Sequence, residues 1–211
     1  VGAVGLPIGL TALAEGGMFS ASSVMMGWFG TVPLAAHGIA LHVATVTFMF
    51  HMGLSQAATV RAGNAYGRKD VLHLIVGAKV AVAVSLVLSF ATMVVFIAAP
   101  DALISLFVET SDPARDQIMV VGRGLLFMAA LFQLVDGGQV LALGLLRGIQ
   151  DTSVPMVIAA VSYWIVGLPA GYVLGVVLGF GGQGIWGGLV LGLGCAAVFM
   201  SWRFMRQLKT L

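Results

Sequence analysis

Six long runs of apolar residues divide the chain, at residues 2–29, 33–66, 71–99, 113–147, 153–180 and 183–209. None of them alternates between apolar and polar positions, and each is longer than the about 20 residues a helix needs to cross a bilayer. An open sheet cannot span lipid, because its edge groups would find no water to bond. The pattern therefore predicts six transmembrane helices. Start and stop signals fall between the runs. Gly30 closes the first, and Thr31 is the expected cap of the second, with Pro33 in its first turn. Pro100 stops the third, Ser111-Asp112-Pro113 starts the fourth, Asp151-Thr152-Ser153 opens the fifth, and Gly181-Gly182 separates it from the last. Residues 101–107 read as a short amphipathic helix on the surface.

Composition agrees with the pattern: 60% of residues are hydrophobic and 9% charged, with a mean hydropathy of +1.07, whereas soluble domains carry about 25% charged residues. The fold class is an all-α membrane protein whose first partner is the lipid bilayer. A net charge of +2 is too small to argue for nucleic acid. Cys195 is the single cysteine, which excludes an intrachain disulfide and a cysteine metal site and leaves it a small packed residue. Arg61, Arg68, Lys69, Arg147, Arg203, Arg206 and Lys209 fall on one side of the six spans, while Asp101, Glu109, Asp112 and Asp116 face Arg115 alone on the other. Cytoplasmic flanks collect Lys and Arg, so both ends are expected in the cytoplasm. With Val1 first and no charged segment ahead of the apolar run, the chain is expected to begin partway through a longer one.

Glycines recur every four residues in the last two runs: Gly167, Gly171, Gly175 and Gly179, then Gly184, Gly188 and Gly192 with Ala196. Residues four apart share a helix face, so each ladder makes a smooth surface for close packing. Pro169 lies inside the first ladder and is expected to kink that helix.

Two acids sit in the middle of apolar runs. Glu15 is roughly 20 Å into the first helix and Asp136 roughly 15 Å from the end of the fourth, at 1.5 Å per residue. Each costs about 2.5–3.5 kcal/mol at a bilayer centre, and a bound cation or proton is the natural compensator; a hydrogen bond between helices is the plainer alternative. Gln133, Asp136 and Gln139 are three apart and form one polar stripe. Glu15 shares its face with Thr11, Ala12, Met18, Phe19 and Ser22, a mixture suited to a cavity that admits apolar molecules. Arg123 is thirteen positions before Asp136, on nearly the opposite face, so the two are not paired within the helix. His37, His42 and His51 are not spaced for a zinc site and read as packed or hydrogen-bonded. No phosphate loop, nucleophile motif or dinucleotide fingerprint is present, and the chain is expected not to be an enzyme.

These residues resemble the multidrug and toxic compound extrusion (MATE) transporters of the MOP superfamily, in their NorM-like bacterial branch. The resemblance rests on Gly5-Leu6-Pro7-Ile8-Gly9-Leu10, Ala35-Ala36-His37, Gly53-Leu54-Ser55-Gln56-Ala57-Ala58-Thr59-Val60-Arg61, Phe132-Gln133 with Asp136-Gly137, and Leu146-Arg147-Gly148 with Asp151-Thr152 and Pro155. It implies twelve helices in two six-helix lobes, of which this chain resembles the second, with the amino-terminal lobe missing. It also implies efflux of cationic or amphiphilic drugs across the bacterial inner membrane, driven by Na+ or H+ and requiring no cofactor. Glu15 and Asp136 fall on the family's cation-coupling positions, with Na+ as one ion they would hold, and Gln133, Gln139, Phe132, Met18 and Phe19 become cavity candidates. Phe132 departs from a tyrosine found in some sodium-binding members, and His51 stands where a proline or apolar residue is expected. Two other readings stay open: a lipid-linked sugar flippase of the same superfamily, for which Arg123 would have to enter the cavity, and a non-transporting membrane scaffold held by its glycine ladders.

Overall fold

The structure, a computed structural model, describes residues 2–210. Among them there are no strands, and six helices are long and apolar enough to cross a membrane. These are α1 (Gly2–Gly27), α2 (Thr31–Gly67), α3 (Val71–Ala98), α5 (Arg115–Gly148), a fifth span at Ser153–Val177, and α8 (Gly181–Leu208). The short α4 (Pro100–Ser105) occupies the position of the expected surface helix.

Local chemistry sets the ends of these helices. Gly30 has φ 110°, a left-handed conformation that glycine adopts without strain. It therefore takes the cap position of α2, and Thr31, expected as the cap, is the first helical residue instead. Asp70 caps α3 by accepting the His73 backbone N–H at 3.0 Å. Ahead of α5, Asp112 accepts the Ala114 N–H at 2.8 Å, so that helix starts at Arg115, two residues later than the proline suggests. Asp151 does not cap the fifth span; it accepts Arg203 Nε at 2.7 Å and Gln207 Nε2 at 3.1 Å and ties the α5 exit to the end of α8.

The fifth span is not a uniform helix. It runs as α6 (Ser153–Val161), a π-helical stretch Ser162–Gly167, α7 (Leu168–Tyr172) and a second π-helical stretch Val173–Val177. Pro169 lacks the N–H of a regular helix, and the chain widens to the π form on both sides of it. Gly179, expected in the ladder, has φ 76° and belongs to the turn into α8. The remaining ladder glycines face the α8 ladder in antiparallel order. Gly184 lies against Gly175, Gly188 against Gly171 and Gly167, and Gly192 against Gly167, with backbone where a side chain would go.

Helix α5 runs through the centre, packed on α2, α3 and α8. Two hydroxyls on α2 stitch it in place: Ser55 Oγ donates to the Val140 carbonyl at 2.7 Å and Thr59 Oγ1 to the Gly144 carbonyl at 2.8 Å. Gly144 and Gly148 leave room for this approach, since a Cβ at either would run into Ser55 or Ala62. Despite His51, α2 is one continuous helix of 37 residues. In the most apolar part of α3 only 22% of residues are buried, against 44% in that of α5, so α3 is peripheral and most of its apolar side chains face outward.

Arg123 leaves α5 toward α4, where it grips Asp101 through Nε at 2.5 Å and Nη2 at 2.8 Å. Those hydrogen bonds, with the guanidinium charge behind them, hold the Asp101 carboxyl below the usual carboxylate range. For a depressed acid the stabilising contribution is present above the unfolded-state value and is lost as pH falls through the folded one. Protection of the α4 amides, taken relative to their intrinsic exchange rates, is accordingly expected to stay constant through neutral pH and to fall only in acid below the usual carboxylate range. Asp101→Asn should lower that protection at neutral pH, and variant and parent should converge in acid; identical protection at neutral pH would show that the pair does not hold α4.

Candidate functional site

The two acids come within electrostatic range of each other. Asp136 is 1% exposed on the inner face of α5, flanked by the fully buried Gln133 and Gln139. Glu15 projects half-buried from α1, within electrostatic range of Asp136, Arg147 and Tyr163. One polar stripe on α5 thus lies within electrostatic reach of one acid from α1.

This cluster is polar and under-bonded. Gln139 Nε2 donates to the Tyr163 hydroxyl at 2.7 Å. Both amide atoms of Gln133, Oδ1 of Asp136, Oε1 of Gln139 and Nε of Arg147 are buried with no hydrogen-bond partner among the described residues. Burying such an atom without a partner costs about 1–3 kcal/mol. Three of the five are oxygens, and carboxylate and amide oxygens are the hard donors that hard cations take. No three His, Cys, Asp or Glu side chains among the described residues are grouped so as to hold a metal ion, so the donor set does not fit a zinc centre. It fits a proton, water or a hard monovalent cation held between one or both acids and the amide oxygens.

Beside the polar stripe lies an aromatic wall. Phe132 makes edge contacts with Phe19 at 5.9 Å and Trp186 at 5.5 Å between centroids. Trp186 Nε1 donates to His37 Nδ1 at 3.1 Å, which leaves the other ring nitrogen to donate to Ser23 Oγ, also at 3.1 Å. His37 is therefore a neutral, fully used link between α1, α2 and α8. Met18 is completely buried and belongs to the core, whereas Phe19 is half-buried. Phe132 has no hydroxyl to give the cluster; the phenolic oxygen there comes from Tyr163, on a π-helical turn. Such turns recur at functional sites because they re-aim one side chain within a helix.

That same turn also holds α1. Trp164 Nε1 donates to the Ala14 carbonyl at 3.1 Å, one residue before Glu15, and its ring covers Gly17. The stretch Ser162–Gly167 thus touches α1 through Trp164 and α5 through Tyr163. Behind Asp136, His51 Nε2 and Ser89 Oγ share a hydrogen bond at 2.9 Å, and the His51 ring fills the space a side chain at Gly137 would need. His42 stacks on Phe107 at 6.0 Å, away from the acids.

Two members of the cluster escaped sequence reasoning. Arg147 is eleven residues after Asp136, three turns on, so it returns to the same face of α5; that spacing could have found it. For Tyr163 no signal exists within its own segment. Arg123 and its partner Asp101 are both 53% exposed, outside the cluster.

Comparison with known proteins agrees with this architecture. The MatE family model matches residues 7–173. The chain is 43% identical over 211 residues to a "Probable multidrug resistance protein NorM" of Agrobacterium fabrum, covering 98% of this chain and 45% of that protein. It is 44% identical over 210 residues to a protein of the same name from Deinococcus radiodurans, covering 98% and 46%. The chain therefore spans about half the length of the curated relatives it matches. A crystal structure of MATE in the bent conformation superposes with a TM-score of 0.89 at 17% identity, over 99% of this chain and 45% of that one. A eukaryotic MATE transporter gives 0.85 at 17% identity, over 98% and 47%. At those identities the likeness speaks for the fold. Six transmembrane helices around a buried acid, with the family model matched over most of the chain, place this chain in the MatE family.

Proposed function

We propose that this chain is one six-helix lobe of a multidrug efflux antiporter, and that Glu15 and Asp136 couple export of cationic or amphiphilic compounds to entry of Na+ or H+. The observation that carries this reading is the set of oxygens on Asp136, Gln133 and Gln139 that have no donor among the described residues. A cation or proton bound there offsets both the acid's burial and the missing hydrogen bonds. Differential binding of that ion in two arrangements of the lobe is what can shift one toward the other. The multidrug resistance named for the relatives supports the export side.

The lobe would sit in a bacterial inner membrane with both ends cytoplasmic, following its basic flanks. Arg123 outside the cluster and bound to Asp101 counts against the flippase reading. Arg147 does join the cluster, but it lies within electrostatic range of Glu15, whose carboxylate opposes a lipid phosphate there. Alternating access needs a second repeat to close the other wall of the site. Vesicles containing the full-length protein are therefore expected to accumulate a fluorescent organic cation when a Na+ or H+ gradient is imposed, and vesicles with this chain alone are not. Equal uptake by the isolated chain would sink the half-transporter reading. Indifference of the full-length protein to both gradients would sink the antiport reading.

A further inference from the structure

A groove of about 690 Å3 opens between α3, α5 and α8. Its α5 wall includes Leu141 and Leu145, on the face opposite Gln133, Asp136 and Gln139, so it is separate from the acid cluster. Leu86 and Phe204 continue the apolar lining. The charged residues on its walls are Lys79 and Lys209, and no carboxylate lines it. Neither lysine takes part in an ion pair among the described residues.

Lys79 is the informative one. It lies eight residues after Val71, roughly 12 Å along α3, inside the apolar span, where an unpaired ammonium is costly. Helix side chains lean toward the helix start, which directs the Lys79 stem back toward the end of α3 where α8 finishes and Lys209 stands. The groove is thus an apolar slot with positive charge gathered toward one end. Its volume is within the range of about 300–1,000 Å3 found for small-molecule sites. Its complement is an amphiphile with an anionic head and a long apolar tail. Basic pockets between transmembrane helices on the cytoplasmic side are matched by anionic lipid head groups, and the bilayer supplies such molecules at the groove mouth.

We propose that the groove between α3, α5 and α8 binds one anionic glycerophospholipid, its phosphate held by Lys79 and Lys209 and an acyl chain laid along Leu86, Leu141, Leu145 and Phe204. The lipid backs α5, the helix that carries Asp136 on its other face. A second protein segment in the same place would have to bring its own carboxylate to both lysines.

The test is native mass spectrometry of the full-length protein titrated with phosphatidylglycerol or phosphatidylcholine of identical acyl chains. Phosphatidylglycerol is expected to bind about tenfold more tightly. Lys79→Gln with Lys209→Gln should erase that preference, Lys79→Arg with Lys209→Arg should keep it, and a photoactivatable phosphatidylglycerol tail should label Leu86 or Phe204. Equal binding of the two lipids, preference surviving in the double glutamine variant, preference lost in the arginine variant, or labelling confined to other helices would each overturn the site. Protection of the groove from the lipid by a cross-linkable protein segment would overturn it too, in favour of a protein occupant.

Discussion

Cells expressing the full-length protein with Asp136→Asn are expected to lose gradient-driven drug efflux while making normal amounts of protein. The amide keeps the volume of the carboxyl and its place between Gln133 and Gln139, but it carries no charge for a cation to neutralise and no site for a transported proton. Coupling free energies of about 1–3 kcal/mol correspond to about 5- to 150-fold, and the loss should reach the upper part of that range because Asp136 is the fully buried acid of the pair. Removing a charge that costs about 2.5–3.5 kcal/mol at mid-membrane should leave insertion unchanged or better. Glu15→Gln should lower efflux less, since Glu15 is half-buried and Arg147 lies within reach of its charge. Wild-type resistance in cells carrying Asp136→Asn at parental protein levels would refute the assignment.

The second large effect belongs to the glycine ladders. Gly188→Leu should abolish accumulation of folded protein, because a Cβ there meets the Gly171 backbone and the Gly167 carbonyl rather than any side chain that could turn away. Overpacking of a tight contact costs about 1–3 kcal/mol or more, and two helix backbones must separate to admit a leucine. Gly171 is looser, with the nearest atom, the Ile185 carbonyl oxygen, 3.3 Å from the place a Cβ would take. Alanine substitutions should therefore rank, with Gly188→Ala clearly destabilising, Gly171→Ala mild and Gly53→Ala silent, since nothing lies within 4 Å of a Cβ at Gly53. The readout is detergent-resistant folded protein in a thermal series. A Gly188→Leu variant that accumulates normally and loses only its ion dependence would mean that the ladder serves coupling rather than packing.

Much of the architecture was legible because a bilayer imposes a one-dimensional rule. Each span must be long and apolar and must satisfy its own backbone, so six runs gave six helices with ends displaced by a few residues at most. Those displacements have local causes that propensity does not rank: Gly30 takes a cap position through its positive φ, and Asp112 bonds the Ala114 N–H before α5 begins. The stripe Gln133, Asp136 and Gln139 was readable for the same reason as the spans, since a single helix fixes its own faces.

Contacts between helices are another matter. Sequence alone determined the helices, the places of Glu15 and Asp136 along theirs, and the two glycine faces, because all of these follow from the rise and turn of one helix. Only the tertiary structure decided that the two ladders face each other, that Tyr163 and Arg147 join the acids, that Arg123 turns outward to Asp101, and that Trp164 ties the π-helical turn to the carbonyl before Glu15. Each of those pairs residues from different elements, and nothing in the periodicity of one helix records the rotation and height at which another packs against it.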